Sequence, residues 1–338
     1  MKYGSIPDVD GPVSRLVMGS MVFSTEKQEF TNELLDRWIE VGGTAIDTAR
    51  VYAKGTSEEA FGTWLQSRGC RDKVVVIGKG AHHDALTLER RVNAAAIHED
   101  IQTSLQSMQL DRMDVYILHK DDEDAPVGPV VEALNEERSA GRIGAFGGSS
   151  WTHQRIAEAN AYAEKHGLKP FGVSSPNLAL AVPNEPMWTG CVSLSGDEEA
   201  LAWYEKTQLP VFAWSSQARG FFSGRYTPEM AGELAEKSAH FDELPPVDKD
   251  RLNVIRTYFS EANWERYRRA ESLAKAKGCT LQQITLAWVL HQPLNLYALI
   301  GPATVSELDN SLGALEITLS EEELAWLNLQ KEPIRALA

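Results

Sequence analysis

Four polar residues stand at or just beyond the ends of short apolar runs, where side chains of their types could do chemistry. Asp47 closes TAID, Lys79 closes VVVIGK and His119 closes MDVYILH, while Tyr52 follows Asp47 by five positions. An ionised aspartate in an apolar run is costly to bury unless a cation pairs with it, and Lys79 is the candidate partner. Each residue alone is more often structural, so only their joint occurrence indicates a site.

Together the four residues could move a proton at a carbonyl or alcohol oxygen. A Lys79 ammonium beside Tyr52 is expected to lower the pKa of the phenol from about 10 towards neutral, which would make Tyr52 a general acid and base. A neutral His119 could donate a hydrogen bond to the same oxygen and orient it. None of the four supplies an electron pair, so a hydride would have to come from a cofactor.

The apolar runs that carry these residues alternate with helical patterns. The midpoints of consecutive predicted strands are roughly 27 to 39 residues apart. They lie at Ile46, Val76, Val115, Phe146, Val173 and Val211. With further strands at 15–21 and 296–300, eight strand–helix pairs predict an α/β fold, a single (β/α)8 TIM barrel over residues 1–338. No GxGxxG motif follows the first strand, which argues against a doubly wound dinucleotide-binding sheet.

Other segments are predicted in less regular form. Residues 3–13 could form a β-hairpin, residues 87–108 have the pattern of one long helix, and extended loops follow strands six and seven. The second of these loops is an insertion at 221–248, and two closing helices follow the last strand. We therefore expect a barrel with additions at its ends.

Composition narrows the function. The formal net charge is −15 and the sequence contains no cluster of Lys and Arg, so no nucleic-acid partner is expected. The chain has neither a signal-peptide pattern nor a run of apolar residues long enough to span a membrane, so a cytoplasmic location and no membrane partner are expected. Its three cysteines are far apart in sequence and are predicted to be structural thiols. Although His82, His83 and His153 invite a metal site, their spacing does not suit one, and no metal is expected.

The chain resembles the aldo-keto reductase family from RLVMGSM, which starts at residue 15, to LSEEELAWL, which ends at residue 327. The tetrad of the family matches Asp47, Tyr52, Lys79 and His119 in order and context, including the DTAxxY spacing. The resemblance implies a (β/α)8 barrel that transfers a hydride between a nicotinamide cofactor and an aldehyde, ketone or alcohol, with Tyr52 as general acid and base.

The resemblance also implies residues around the nicotinamide. Ser149 matches a position that binds the carboxamide, Ser150 replaces the usual Asn, and Ser175 takes the place of the usual Gln. Trp214 falls where the family has an aromatic ring stacked on the nicotinamide; the alternative for this side chain is core packing.

The phosphate and adenosine ends of the cofactor are matched by later segments. The loop that begins at Ser215 resembles the one that wraps the pyrophosphate, with Arg219, Gly220 and backbone N–H groups as donors. Thr304, Glu307 and Asn310 follow the eighth strand. Glu307 stands where a basic residue often meets the 2′-phosphate, and residues 296–315 contain no Lys or Arg. NAD(H) is therefore favoured, with NADP(H) as the alternative.

The substrate and the class of activity stay open. Asp121, Trp151 and Trp188 could bind the hydroxyl groups and faces of a sugar or polyol. The small-molecule partner is predicted to be a carbonyl, alcohol or sugar, and the sequence does not indicate an oligomeric state. Two alternatives to a simple oxidoreductase are a cofactor-binding regulatory subunit and a lyase or hydrolase that oxidises a sugar carbon transiently with NAD.

Overall fold

The fold is built around eight parallel strands that close into a barrel. The computed structural model describes residues 1–84, 87, 89–232 and 237–331. Around the barrel each strand pairs with the next in chain order, and the last pairs with the first. The barrel strands are β3 (Leu16–Gly19), β4 (Ala45–Asp47), β5 (Val75–Gly80), β6 (Met113–Leu118), β7 (Ile143–Ser149), β8 (Val173–Ser175), β9 (Val211–Ala213) and β10 (Leu296–Ile300). The predicted (β/α)8 barrel is thereby confirmed.

Helices surround the barrel and connect its strands. In chain order they are α1 (Gln28–Glu40), α2 (Thr56–Arg68), α3 (Ala94–Met108), α4 (Val127–Ser139), α5 (His153–His166), α6 (Glu198–Thr207), α7 (Pro246–Tyr258), α8 (Glu261–Lys277), α9 (Leu281–Leu290), α10 (Val305–Gly313) and α11 (Glu321–Leu327). No helix in the described ranges is both long and apolar enough to cross a membrane.

The N-terminal hairpin is also confirmed. Strands β1 (Tyr3–Gly4) and β2 (Val13–Ser14) pair in antiparallel fashion. Ile6 and Val13 pack against the inward-facing side chains of the barrel strands, so the hairpin closes one end of the barrel. This closure leaves the opposite end, at the carboxyl ends of the strands, for function.

One helix begins later than its pattern predicts. The predicted helix at 87–108 starts only at Ala94, and the described part of the preceding segment is irregular. Asn93 has an extended backbone, and its side chain accepts a hydrogen bond from the N–H of Ala96. This cap fixes the first turn, so the earlier start is wrong. Residue 88 of the predicted helix lies outside the described residues.

The insertion after β9 is built of short elements in its described residues. It contains short 3-10 turns at Ala218–Ser223, Pro228–Met230 and Ser238–Glu243, and then leads into α7. The side chain of Ser260 caps α8 and separates it from α7. The insertion therefore adds a helix and a loop to the C-terminal side of the strands, where the candidate site lies.

Candidate active site

The alternation of side chains along the strands brings three of the four polar residues to one place. In β5, Val75 and Ile77 belong to the core inside the barrel, so Lys79 continues the same inward-facing row. Val115 and Ile117 likewise precede His119 in β6, and Ala45 precedes Asp47 in β4. These strands are neighbours in the barrel. All three polar side chains therefore point into its carboxyl-end mouth.

The predicted ion pair between Lys79 and Asp47 is present. The Lys79 ammonium donates to Oδ1 of Asp47, and the two residues are 3% and 1% exposed. Burial by itself would lower the pKa of Lys79, but the attractions of Asp47 and Tyr52 outweigh it and raise that pKa. Lys79 therefore stays charged at neutral pH. The second oxygen of Asp47, Oδ2, is buried and has no hydrogen-bond partner among the described residues.

Tyr52 is brought to this pair by a tight turn after β4. The residues after it, Ala53, Lys54 and Gly55, have φ values of 47°, 56° and 95°, a left-handed run that folds the chain back before α2. The Lys79 ammonium lies 5.1 Å from the centre of the Tyr52 ring, and the Tyr52 and His119 rings are 5.7 Å apart. All four predicted residues thus meet in one pocket.

The net direction of the Tyr52 pKa differs from the sequence-based expectation. Burial raises the pKa of the phenol above 10, and Lys79 lowers it only in part. The expectation considered the ammonium alone and omitted the cost of burying a phenolate. Tyr52 is therefore a protonated donor over the neutral range, and Lys79 is the group that would stabilise its anion.

His119 has the properties that the sequence predicts. Burial lowers its pKa well below 6.5, and Lys79 lowers it further, so the ring is neutral at physiological pH. Its Nδ1 is buried, and no residue in the described part of the chain forms a hydrogen bond with it. The ring of His82 lies 4.9 Å from that of His119, and burial lowers the His82 pKa as well. His82 is a pocket residue that the sequence brought forward only as a metal ligand, although its place just after β5 was a signal.

The serines expected around the nicotinamide lie at the ends of adjacent strands. The Ser149 hydroxyl donates to the carbonyl of Ser175 at 2.8 Å, and the Ser175 hydroxyl donates to the carbonyl of Phe212 at 2.9 Å. Their hydroxyl protons are thus used within the barrel, whereas their lone pairs can still accept hydrogen bonds. Ser150 is 6% exposed, with a φ of 60°. This arrangement suits an amide NH2 group as the ligand of Ser149 and Ser175.

Trp214 is half-buried at the end of β9. Its Nε1 donates to the carbonyl of Ser175 at 3.1 Å, which fixes the indole beside the two serines. Asn177 holds the same segment, since its Nδ2 donates to the carbonyl of Trp214 and its Oδ1 accepts from Ser193. Both the nitrogen and the oxygen of the Asn177 amide are engaged in this way, so Asn177 holds this segment in place.

The loop after Trp214 has an unusual backbone. Ser215, Ala218, Arg219 and Gly220 all have positive φ values, between 49° and 83°. The guanidinium of Arg219 forms an ion pair with Asp250 of α7 and lies 5.3 Å from the ring centre of Trp188. A phosphate at this loop would therefore have to share Arg219 with Asp250, a residue that sequence reasoning missed.

The residues predicted at the adenosine end surround the N-terminus of α10. Thr304 caps this helix by accepting from the N–H of Glu307 at 3.1 Å, and Glu307 Oε2 accepts from the N–H of Ala303 at 2.7 Å. Asn310 Oδ1 accepts from the hydroxyl of Thr280, which caps α9. Glu307 is exposed but held by this cap, so its carboxylate is fixed in direction.

Two of the three residues predicted to bind substrate do not face the mouth. Trp151 is 1% exposed, packs against Phe171 and donates its Nε1 to the carbonyl of Lys120. The side chain of Asp121 is 7% exposed and pairs with Arg155 of α5. Both residues belong to the packing between strand ends and α5, so their assignment to the substrate is wrong.

Trp188, the third residue that the sequence predicts to bind substrate, is exposed beside Trp214. It is 38% exposed, and its ring centre is 5.8 Å from that of Trp214. Lys120, which precedes Asp121 in the sequence, is buried next to His119. Its ammonium contacts Cys191, which lies in the same loop as Trp188. Neither Lys120 nor Cys191 was distinguished by the sequence, because their contact joins residues 71 positions apart.

Comparisons with known proteins agree on one family. The model of the Aldo/keto reductase family matches residues 15–328. An uncharacterized oxidoreductase, YrpG, of Bacillus subtilis is 27% identical over 94% of this chain and 91% of its own length. The norsolorinic acid reductase stcV of Emericella nidulans is 26% identical over 92% of this chain and 76% of its own.

Solved structures are similar over nearly the whole chain. A thermostable aldo-keto reductase in complex with the inhibitor epalrestat has a TM-score of 0.73 at 21% identity, covering 98% of this chain and all of its own. An aldo/keto reductase from Klebsiella pneumoniae in complex with NADP and acetate has a TM-score of 0.68 at 25% identity, covering 96% of this chain and 94% of its own.

Proposed function

The chain belongs to the aldo/keto reductase family and is therefore an oxidoreductase, and we propose that it reduces a carbonyl compound, or oxidises the alcohol, with Tyr52 as the proton donor and acceptor. The observation that carries this proposal is the meeting of the Tyr52 phenol with the Lys79 ammonium and the neutral His119 ring in one pocket. A bound nicotinamide cofactor supplies the hydride.

The tetrad accounts for the proton. In reduction, the substrate oxygen gains negative charge and takes the phenolic proton of Tyr52, while neutral His119 donates a hydrogen bond to the same oxygen. Lys79, held in its charged form by Asp47, stabilises the tyrosinate that remains. Because the Tyr52 pKa is raised, the phenol stays protonated, and so able to donate its proton, through neutral pH. Reduction is therefore expected to keep its rate into mildly alkaline pH.

The residues present fit a nicotinamide cofactor. Ser149 and Ser175 present free lone pairs for a carboxamide, and Trp214 presents a fixed, half-buried ring next to them. The loop from Ser215 contains left-handed residues, a backbone conformation that anion-binding loops use. These features support the cofactor residues assigned from the sequence.

For the cofactor we favour NAD(H) over NADP(H). Glu307 is fixed at the start of α10, and residues 296–315 contain no Lys or Arg to balance a 2′-phosphate. A carboxylate in this place repels the phosphate and accepts hydrogen bonds from ribose hydroxyls. Dissociation constants for NADH and NADPH, measured on the wild type and on Glu307→Gln, test the preference. Tighter binding of NADPH by the wild type would overturn it.

The substrate is proposed to approach along Trp188. An exposed indole next to Trp214 offers a flat apolar face, which suits the ring of a sugar or of an aromatic carbonyl. Purified protein with each cofactor should be tested against sugars, polyols and simple carbonyls, with product and cofactor followed separately. Product that forms without net cofactor change would favour a lyase or hydrolase that oxidises transiently.

Tyr52→Phe tests the role of the proton donor. It removes only the hydroxyl, so we expect kcat to fall at least about a hundredfold while cofactor binding is kept. Full turnover by this variant would refute the assignment. If the wild type binds cofactor but turns over none of the compounds, the alternative of a cofactor-binding regulatory subunit becomes the better description.

A further inference from the structure

A buried lysine beside the pocket contacts a cysteine where a carboxylate would be expected. Lys120 directly follows His119 and is 7% exposed. Its ammonium donates to the carbonyl of Thr189 at 3.0 Å and to the sulfur of Cys191 at 3.1 Å. Among the described residues no Asp or Glu forms an ion pair with Lys120. A buried cation without a carboxylate partner is costly, and a cysteine sulfur is an unusual hydrogen-bond partner for it.

The other two cysteines differ from Cys191. In the part of the chain that the structure describes, neither sulfur receives a hydrogen bond from an ammonium group. Cys279 is half-buried, as Cys191 is, which makes it a matched control. A cationic donor at a partly accessible sulfur is the setting in which cysteines react with oxidants.

Space for one added atom exists at this sulfur. A cavity of about 10 Å³, roughly the size of one water molecule, lies beside Cys191 and is lined by Asn177, Met187, Trp214 and Tyr258, among others. An oxygen bonded to the sulfur would enter this space or remain on the Lys120 ammonium. Either position keeps the added oxygen hydrogen-bonded or enclosed, as a stable sulfenic acid requires.

We propose that Cys191 is a site of reversible oxidation by hydroperoxides, and that the Lys120 ammonium holds the oxygen added to its sulfur. The sulfur attacks one oxygen of hydrogen peroxide, an S–O bond forms and the O–O bond breaks. The thiol proton joins the departing hydroxide to give water. Sulfur loses two electrons, which the peroxide gains, and the product is a sulfenic acid that a thiol reductant can return to cysteine.

The oxidation would act on the substrate side of the pocket. The backbone N–H of Cys191 donates to the carbonyl of Trp188 at 3.0 Å, and the Lys120 ammonium ties the same loop to the end of β6. A new oxygen between Lys120 and Cys191 shifts these two attachments and the Trp188 ring with them. The expected result is a roughly tenfold rise in KM for the carbonyl substrate with little change in kcat, because the tetrad itself is untouched.

The test treats the full-length protein with hydrogen peroxide and traps sulfenic acid with dimedone, followed by peptide mass spectrometry. Labelling is expected to be at least about tenfold faster at Cys191 than at Cys279 or Cys70, and to be lost when dithiothreitol is added after the peroxide and before the dimedone. Lys120→Gln, which keeps a donor for Thr189 but removes the charge, should slow labelling of Cys191 to the rate of Cys279. Cys191→Ser should keep the KM of the untreated enzyme and lose its response to peroxide.

Equal labelling of Cys191 and Cys279 in the wild type would overturn the proposal. So would unchanged labelling in Lys120→Gln, or an unchanged KM in protein whose Cys191 is fully oxidised. If Lys120→Gln does not fold, the comparison between the wild-type cysteines decides alone. The labelling rates do not depend on enzymatic turnover, so they remain informative even if the proposed oxidoreductase reaction is wrong.

Discussion

Glu58, a buried acid behind the tetrad, predicts that stability falls as pH rises. It lies in α2 and is 0% exposed, and among the described residues neither carboxyl oxygen has a hydrogen-bond partner of good geometry. Burial raises its pKa from 4.5 to about 7, against partial lowering by Ser104 and Arg50. Lys79 lowers this pKa slightly and Asp100 raises it. The folded protein therefore holds a proton on Glu58 that the unfolded chain releases.

The sign and size of the effect follow from proton linkage. Between pH 4.5 and about 7 the folded state binds one more proton than the unfolded state, so the free energy of unfolding decreases as pH rises. The effect is complete above about pH 7. A difference of roughly 2.5 pKa units corresponds to about 3.4 kcal/mol in total, of which about 2.5 kcal/mol falls between pH 5 and pH 8.

The perturbation is Glu58→Gln, which resembles the protonated acid at every pH. Urea unfolding of wild type and variant near pH 5 and pH 8 gives the free energy of unfolding of each. The variant should gain about 2.5 kcal/mol over the wild type on going to the higher pH, and any constant cost of the amide cancels in this comparison.

Glu59→Gln, at an exposed neighbour in the same helix, is the control and should run parallel to the wild type. If the Glu58→Gln and wild-type curves are also parallel, Glu58 is ionised in the folded protein. The reasoning from burial would then be refuted.

Three further predictions concern the pocket and its frame. Asp47→Asn leaves the buried Lys79 ammonium without its anion and should cost about 3–5 kcal/mol of unfolding free energy, measured by urea titration. Trp188→Ala should raise KM by roughly tenfold while kcat changes little, because a platform contributes similar binding in the ground and transition states; a fall in kcat alone would contradict this role. Gly147→Ala should destabilise the protein by about 1–3 kcal/mol or more, since its methyl would overlap a carbonyl of the neighbouring strand. Gly172→Ala, with its nearest atom at 4.0 Å, is the matched control and should be nearly neutral.

The fold and the tetrad could be predicted because local rules decide them. The two-residue alternation of β5 places Lys79 in the same row as Val75 and Ile77 without any knowledge of the partners of the strand. Adjacent strands then bring Asp47 and His119 beside it. A pattern that repeats along the whole chain is also robust to errors of a few residues, as the late start of α3 shows.

The substrate side was predicted less well because its residues are placed by distant contacts. Asp121 follows a strand end like His119, yet Arg155, 34 positions later, captures its carboxylate. Trp151 is packed inward against Phe171 of the next unit. The direction of the Tyr52 pKa was missed for a related reason, since the depth of burial is set by the assembled pocket. Loops joined by side-chain contacts carry no periodic signal in the sequence.

The two buried lysines at the mouth, Lys79 and Lys120, differ in how their charges are balanced. Lys79 is neutralised by Asp47, and Arg219 by Asp250, so neither adds much net positive potential at long range. Lys120 is balanced by no carboxylate among the described residues, and it contributes to the lowering of the His119 pKa after burial and Lys79. In a chain of net charge −15, Lys120 is thus a buried cation on the substrate side that no described carboxylate pairs with. The Lys120 charge, which adds to the lowering of the His119 pKa by burial, Lys79 and His82, therefore also contacts the sulfur of Cys191, and this contact links the pocket to its proposed sensitivity to oxidants.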